Sequence, residues 1–410
     1  MQRSIFFALF ALCVLLCPSS AIPVHEDTLD LVKCCKVCSS KSMACGDVCI
    51  DKGATCHVKP GCACNHTAIS SDEEEELPRN SNAAVGCIDE VGNAVDWWMV
   101  YKMPSGYQYS YRDSNSRSES ILSVTADKTL DCTTCGALGK TLHQVYANKD
   151  SLAYMLYNDE YPDSYPTPSN GTLMHGGHSK GVLASDASTG FWLIHSVPKF
   201  PDLTATSFTW TASHEFGQSF LCLSVQASDV ENIAKNLQYS YVHTYTWNIP
   251  SSLQSQFPNM QDTADGKGVD GTGIISFTIG STVFKSYSKS PSWNNDLYEF
   301  LVEPDLKVEK GMVWETWRRS PFEDKFCKGS QYKYNSVNVQ SMKLDGFNGY
   351  KYTMDHAKWG ISADSTIPWV CIGDINRMQS QFLRGGQTTC FENAPLWTGF
   401  HLAIDTSDSC

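Results

Sequence analysis

From residue 87 onward the chain alternates short apolar, aromatic-rich runs with polar turn sequences, the pattern of a sheet-rich domain with interspersed helices. "AVDWWMVYKM" (94–103) is almost continuously apolar and predicts a buried strand. After the turn "PSG", "YQYSYRD" (107–113) alternates Tyr107, Tyr109 and Tyr111 with polar residues and predicts a half-exposed strand. "GIISFTI" and "TVFKSYSK" flank Gly280-Ser281 and predict a hairpin over 273–289. "SDVENIAKNL" (228–237) carries Ile233 and Leu237 at i, i+4 and predicts a helix, with Ser228 as its cap and Glu231 completing a capping box. "KGVLASD" and "GFWLIHSV" predict two strands joined by the turn "DASTG". The fold class that follows is mixed α/β (α+β), built on a large sheet with helices.

The pattern changes before residue 87. Arg3, the apolar stretch Ile5 to Cys17, and the small residues Ser19 and Ala21 read as a signal peptide over 1–21. It is too short to span a bilayer, and no later apolar run is long enough, so no membrane span is expected. Residues 22–65 form a Cys-rich module: eight of the 16 Cys that remain after cleavage fall between 34 and 64. So short a segment cannot bury a core, so cross-links must hold it. A metal site using His57 and thiolates is the alternative, and the pairing stays open. Residues 66–86, with the run Asp72 to Glu76, have the composition of an acidic linker. Residues 87–410 form the main domain. Asn65 and Asn170 stand in glycosylation sequons, which agree with a secretory route to the lysosome or the exterior.

Formal net charge is −13 with His neutral, which argues against a polyanionic partner at neutral pH. The 11 His change that in acid, because their protonation near pH 5 offsets most of the negative charge. Charge therefore excludes nucleic acid as a partner only outside an acidic compartment.

The candidate chemistry lies in a repeated motif. "GHSKGVLASD" (177–186) places His178 and Lys180 two residues apart, on a strand and projecting from one face of the sheet. "DHAKWGISAD" (355–364) repeats the spacing with His356 and Lys358. An Asp follows each Lys at the same distance, Asp186 and Asp364, and a Trp follows each His, Trp192 and Trp369. His195 and Ser196 follow the first Trp; Asp374 and Asn376 follow the second. Such a recurrence marks a diverged internal repeat. Two imidazoles and two ammonium groups suit a phosphodiester. One imidazole can attack phosphorus, the other can protonate the leaving oxygen, and the lysines can neutralise the phosphate oxygens. One neutral and one protonated imidazole is the expected state of such a pair in mild acid. No cofactor or metal enters this scheme. His195 reads as an orienting or substrate-binding group. Asp186 and Asp364 read as turn formers, and His143, His175, His214, His243 and His401 as ordinary structural histidines.

These motifs, with "VDWWMVYKMP", "YNDEYP", "GFWLIHSVPKFP", "QSFLCLSV", "WVCIGDINR" and "RGGQTTC", resemble in order those of the deoxyribonuclease II family. The likeness covers nearly all of 87–410. It implies a phospholipase D-like fold, a pseudo-two-fold duplicated sheet sandwich with helices, whose halves bring His178-x-Lys180 and His356-x-Lys358 to one cleft. It implies an endonuclease that cuts DNA at acid pH without divalent metal and leaves 3′-phosphate ends. By analogy, His178 is the nucleophile and His356 the acid, with His195 and Asn376 on the family's "HSVP" and "GDxNR" motifs. Cys87–Cys222, Cys327–Cys410 and Cys371–Cys390 resemble the family's three bridges, with "CTTC", Cys132–Cys135, as a local pair. A homodimer is a further implication. Two features depart from the family pattern: the N-terminal module, whose partner is unknown, and Gly360 where many relatives carry Cys after "HSKW". The competing reading is a secreted toxin or defence effector on the same scaffold, with the Cys-rich module as its binding element.

Overall fold

The computed structural model describes residues 84–116, 122–124, 129–132, 135–167, 176–319 and 325–410, with short pieces between 36 and 64. The signal-peptide stretch, both sequons and most of the acidic linker lie outside the described residues. The chain divides into two compact units, Met1–Ser81 and Asn82–Cys410. In the first, strands β1 (Lys36–Val37) and β4 (Ala63–Cys64) pair in parallel, and β2 (Ser42–Cys45) pairs antiparallel with β3 (Val48–Asp51). Cys45 is disulfide-bonded.

The second unit opens with the short pair β5 (Cys87–Ile88) and β6 (Ala94–Val95). One large sheet then takes β7 (Trp97–Lys102), β8 (Tyr109–Asp113), β9 (Ala153–Tyr157), β10 (Gly181–Ser185), β11 (Thr189–His195), β12 (Gln218–Gln226) and β13 (Thr244–Asn248). Its order is β13-β9-β10-β11-β12-β7-β8. Helices α1 (Gly136–Ala147), α2 (Ala227–Leu237) and α3 (Pro258–Ala264) accompany it. The other sheet takes β14 (Thr272–Ile279), β15 (Thr282–Lys289), β16 (Met312–Glu315), β17 (Ser336–Met342), β18 (Tyr350–Lys351), β19 (Trp359–Ser362), β20 (Trp369–Gly373), β21 (Gly386–Glu392) and β22 (Ile404–Ser407). Its order is β14-β15-β21-β20-β19-β16-β17-β18, with β22 paired to β17. Helices α4 (Glu303–Leu306), α5 (Gln379–Phe382) and α6 (Ala394–Ala403) belong to this part of the chain.

Burial explains why the strands read as near-continuous apolar runs. Along β7, Trp97, Met99 and Tyr101 enter the core shared with the other sheet, while Trp98 and Val100 enter a second core under α1. β11 alternates in the same way, with Trp192 and Ile194 inward, Phe191 and Leu193 outward. The shared core also takes Trp359, Ile361, Val370, Ile372 and Phe391, with apolar residues of α2 and α6. A third core, around Tyr298, Trp314 and Leu306, covers the outer face of the second sheet. Each such buried side chain contributes about 1.5–3 kcal/mol over exposure. The two sheets follow one plan: β9-β10-β11-β12 followed by α2 in the first, β16-β19-β20-β21 followed by α6 in the second. A hairpin strand flanks the last member each time, β7 beside β12 and β15 beside β21.

Three local expectations change. β8 is not half-exposed: Ser110 and Arg112, the polar positions of the alternation, are buried. The helix begins at Ala227 with Gln226 as its cap, so Ser228 and Glu231 form no capping box. Glu231 instead accepts from the backbone N–H groups of Asn259 and Met260 and so caps α3, a tertiary use that local spacing does not reveal. His178 and Lys180 lie on the extended segment leading into β10, just before the strand itself. The hairpin over 273–289 forms as β14 and β15, turning at Gly280 with φ +57°. Disulfides join Cys87 to Cys222, Cys132 to Cys135, Cys327 to Cys410 and Cys371 to Cys390. At Gly360 an added Cβ would lie 2.0 Å from the buried Trp314 ring, so this chain has no room there for a larger residue.

Candidate active site

The two His-x-Lys segments occupy equivalent places, each entering the second strand of its four-strand motif. His195 N–H donates to Lys180 O at 3.2 Å, and Gly373 N–H donates to Lys358 O at 2.9 Å. The halves are then tied crosswise. His178 N–H donates to Gly385 O at 2.9 Å, and His356 N–H donates to Gly217 O at 2.8 Å. Gly385 directly precedes β21, and Gly217 directly precedes β12. Each histidine thus hangs from the glycine that opens the last strand of the opposite half. Both glycines are forced by close approach: a Cβ at 385 would meet Ser240 O at 2.0 Å, and one at 217 would meet Asp355 Oδ1 at 2.5 Å.

The rings have different surroundings. His178 Nδ1 donates to the carbonyl of Asp374, which can only accept. That fixes the proton on Nδ1 and leaves Nε2 with its lone pair, 4.0 Å from Asp159 Oδ2. His356 is held by aromatics. Phe216 stacks on it at 4.0 Å and 11°, and Trp317 lies 4.4 Å away at 54°. Its Nε2 is buried and has no hydrogen-bond partner.

The lysines differ too. Lys180 Nζ bonds Asp159 Oδ1 and donates to His178 O at 3.0 Å. Burial alone would raise the Asp159 carboxyl, but Lys180, His178 and Arg384 outweigh it and hold it well below the usual carboxylate range. Arg384 Nη2 donates to Asp159 Oδ2 at 3.0 Å. Lys358 Nζ donates to His356 O. The neighbouring carboxylate, Asp355, is engaged by the Tyr101 hydroxyl and by Ala357 N–H at 2.9 Å. Burial, then the charge of Lys180, lowers Lys358 to about 7. Burial raises Asp355 and Asp374 to about 6.

One electrostatic expectation is corrected. Both imidazoles, rather than one, favour the neutral form in the free site. Burial and then Lys180 push His178 well below its ordinary value, and burial, Lys358 and Lys180 push His356 down to about 2. Burial is the larger reason, and the clustered ammonium charges of both halves add to it. His195 is fully buried between Phe200 and Phe220, lowered to about 3 by burial and Lys180. Its Nδ1 accepts from Val197 N–H at 3.2 Å, and the charge of Lys180 reaches it. Asn376 is buried with its Oδ1 unpartnered. Asp186 and Asp364 face turns: Asp186 accepts from Thr189 N–H at 2.8 Å, and Asp364 from Thr366 N–H at 3.1 Å. His57 is exposed, and among the described residues no group of three or more His, Cys, Asp or Glu is arranged to hold a metal ion.

The profile of the deoxyribonuclease II family matches residues 86–410. The chain belongs to the deoxyribonuclease II family. Deoxyribonuclease-2 of Caenorhabditis elegans is 33% identical over 365 residues, covering 80% of this chain and 94% of that protein. Plancitoxin-1 of Acanthaster planci is 33% identical over 350 residues, with 80% and 94% covered. Deoxyribonuclease-2-alpha of Rattus norvegicus is 30% identical over 349 residues, with 80% and 95% covered. No helix among the described residues is long and apolar enough to cross a membrane. Within this family member, the sequence motifs pointed to His178, Lys180, His356 and Lys358 but not to Asp159, Arg384, Phe216 or Trp317. Asp159 and Arg384 sit in "YNDEYP" and "RGGQTTC", after a strand and before one, so their position at strand ends was the available signal.

Proposed function

We propose that this chain is a metal-independent acid endodeoxyribonuclease that hydrolyses DNA to 3′-phosphate ends through a phosphohistidine. The observation that carries the reading is the pair of His-x-Lys segments tied crosswise, one with a tautomer-fixed His178 and the other with an aromatic-held His356. His178 Nε2 attacks phosphorus and the bond to the 5′-oxygen breaks. His356 gives that oxygen its proton. Water, deprotonated by His356, then attacks the phosphohistidine, freeing a 3′-phosphate and restoring His178. Lys180 and Lys358 balance the charge on the phosphate oxygens. Asn376, buried with a free acceptor, and His195, which the charge of Lys180 reaches, hold the walls of the site.

The acid requirement follows from the groups around the cleft. As pH falls from about 8 to 5, Lys358, at about 7, gains its charge. Asp355 and Asp374, at about 6, lose theirs. The cleft becomes more positive just where an anionic backbone must enter. The bound phosphate then offsets the ammonium charges that depress His356 and lets it take up a proton.

Supercoiled plasmid in excess chelator tests this. Nicking at pH 5 and little at pH 7.5, with 3′-phosphate termini, is expected; an intact plasmid at pH 5 overturns the proposal. We place the protein in the secretory pathway, in lysosomes or outside the cell, with DNA as its partner. The relative named plancitoxin-1 favours a second role as a secreted effector. In that case deleting residues 22–86 abolishes cell-surface binding while cleavage remains.

A further inference from the structure

Two buried lysines outside the His-x-Lys motifs stand at equivalent places in the halves. Lys102 ends β7 and faces Gln218, the first residue of β12. Lys289 ends β15 and faces Gly386, the first residue of β21. Both are at most 1% exposed. Among the described residues neither ammonium has a carboxylate as a hydrogen-bond partner; each donates to backbone carbonyls, and apart from Met103 O, next to Lys102 itself, these lie in the segment that leads into the neighbouring strand. Lys102 Nζ donates to Met103 O at 2.9 Å, His214 O at 3.0 Å and Phe216 O at 2.8 Å. Lys289 Nζ donates to Gln381 O at 3.2 Å, Phe382 O at 2.8 Å and to Arg384 O. Ammonium has three donors and no acceptor, so each lysine is fully used by three converging oxygens.

What those loops carry gives the lysines a purpose. The residue after Phe216 is Gly217, which holds His356 N–H, and Phe216 itself stacks on the His356 ring. The residue after Arg384 is Gly385, which holds His178 N–H. Arg384 also reaches across to Asp159 and donates to Gly177 O at 3.1 Å, beside His178. We infer that Lys102 and Lys289 are positioning residues: each fixes a loop of its own half that sets the place of the histidine of the opposite half. Lys102 serves His356 and Lys289 serves His178. A lysine with a merely structural role would act on its own sheet; these act across the junction. The consequence for turnover rests on the nuclease reading above, because it assumes that both histidines react. A displacement of reacting groups of about 1 Å costs on the order of 100-fold in rate.

The test uses the full chain labelled with nitrogen-15 at histidine, with imidazole signals assigned from His178→Gln and His356→Gln. Lys102→Met should move the His356 signals and leave those of His178; Lys289→Met should do the reverse. Each should lower kcat on DNA roughly 10- to 100-fold with KM unchanged. Should a Met variant not fold, Lys102→Gln and Lys289→Gln keep two of the three donors and should give the same crossed pattern at smaller size. Folded variants with both histidines unmoved, or with the shift in the lysine's own half, overturn the inference. Crossed shifts without any loss of cleavage would uphold the positioning and overturn the catalytic reading of the histidines.

Discussion

The two His-x-Lys segments share a backbone course and the lysine's bond to its own histidine carbonyl, and differ in what else their side chains touch. Around His178 the contacts are polar: a carbonyl fixes Nδ1, Asp159 lies by Nε2, and Lys180 is paired with that same carboxylate. Around His356 they are aromatic, and among the described residues Lys358 Nζ has only the His356 carbonyl as a hydrogen-bond partner. The two segments take equivalent places, and on the proposed reading the divergence of their surroundings gives them separate tasks. A fixed tautomer with an exposed lone pair suits attack. An unpartnered nitrogen between hydrophobic rings suits a proton carried only once an anion arrives.

That contrast can be broken most forcefully at the histidines. His178→Ala should lose activity on every phosphodiester. His356→Ala should lose about 10²–10⁴-fold on DNA yet release a first burst of p-nitrophenolate at near the normal rate from a p-nitrophenyl nucleotide diester, whose leaving group needs no proton, with turnover then held at the hydrolysis step. Equal loss of both variants on the activated ester would erase the difference in role. Next in size, Phe216→Ala opens His356 to water. Steady-state pH profiles and histidine NMR should show its titration moving up toward the ordinary imidazole value while His178 stays in place.

The carboxylates sharpen the comparison through stability. Asp159 is held below its unfolded value, so its contribution is present above about pH 4 and is lost as pH falls through its folded value. Asp159→Asn should therefore cost about 3 kcal/mol at pH 7, as expected for breaking a buried pair. Asp355 is raised to about 6. Its contribution is present below about pH 4 and is lost as pH rises through 6. Asp355→Asn, free of that loss, should gain roughly 1–2 kcal/mol at pH 7.5 relative to its effect at pH 4. Urea denaturation at the two pH values checks both signs; a common sign would show that the carboxylates are not differently placed.

Much of this was legible in the chain. Strands buried on both faces, such as β7 and β11, declare themselves by unbroken apolar runs, and the repeated His-x-Lys declares two segments at equivalent places in the fold. The turn roles of Asp186 and Asp364 were readable from Asp within "SDAS" and "ADST". What escaped was tertiary. Glu231 had the spacing of a capping box but caps a different helix, because α3 packs beside α2. Asp159, Phe216 and Arg384 are brought to the histidines by strand order; for Asp159 and Arg384 the local sequence signals a strand end and no more. The protonation of the imidazoles depends on the sum of charges from both halves, which no single motif contains.

The central claim is that His178 alone becomes covalently linked to the substrate. Quenching with alkaline denaturant during turnover of a 5′-labelled oligonucleotide, which preserves a phosphorus–nitrogen bond, followed by peptide mapping at alkaline pH, measures it directly. The account predicts label attached through phosphorus to the peptide containing His178 and absent in His178→Ala. Label on the peptide containing His356, or product formed at full rate with no labelled protein at any quench time, would contradict it.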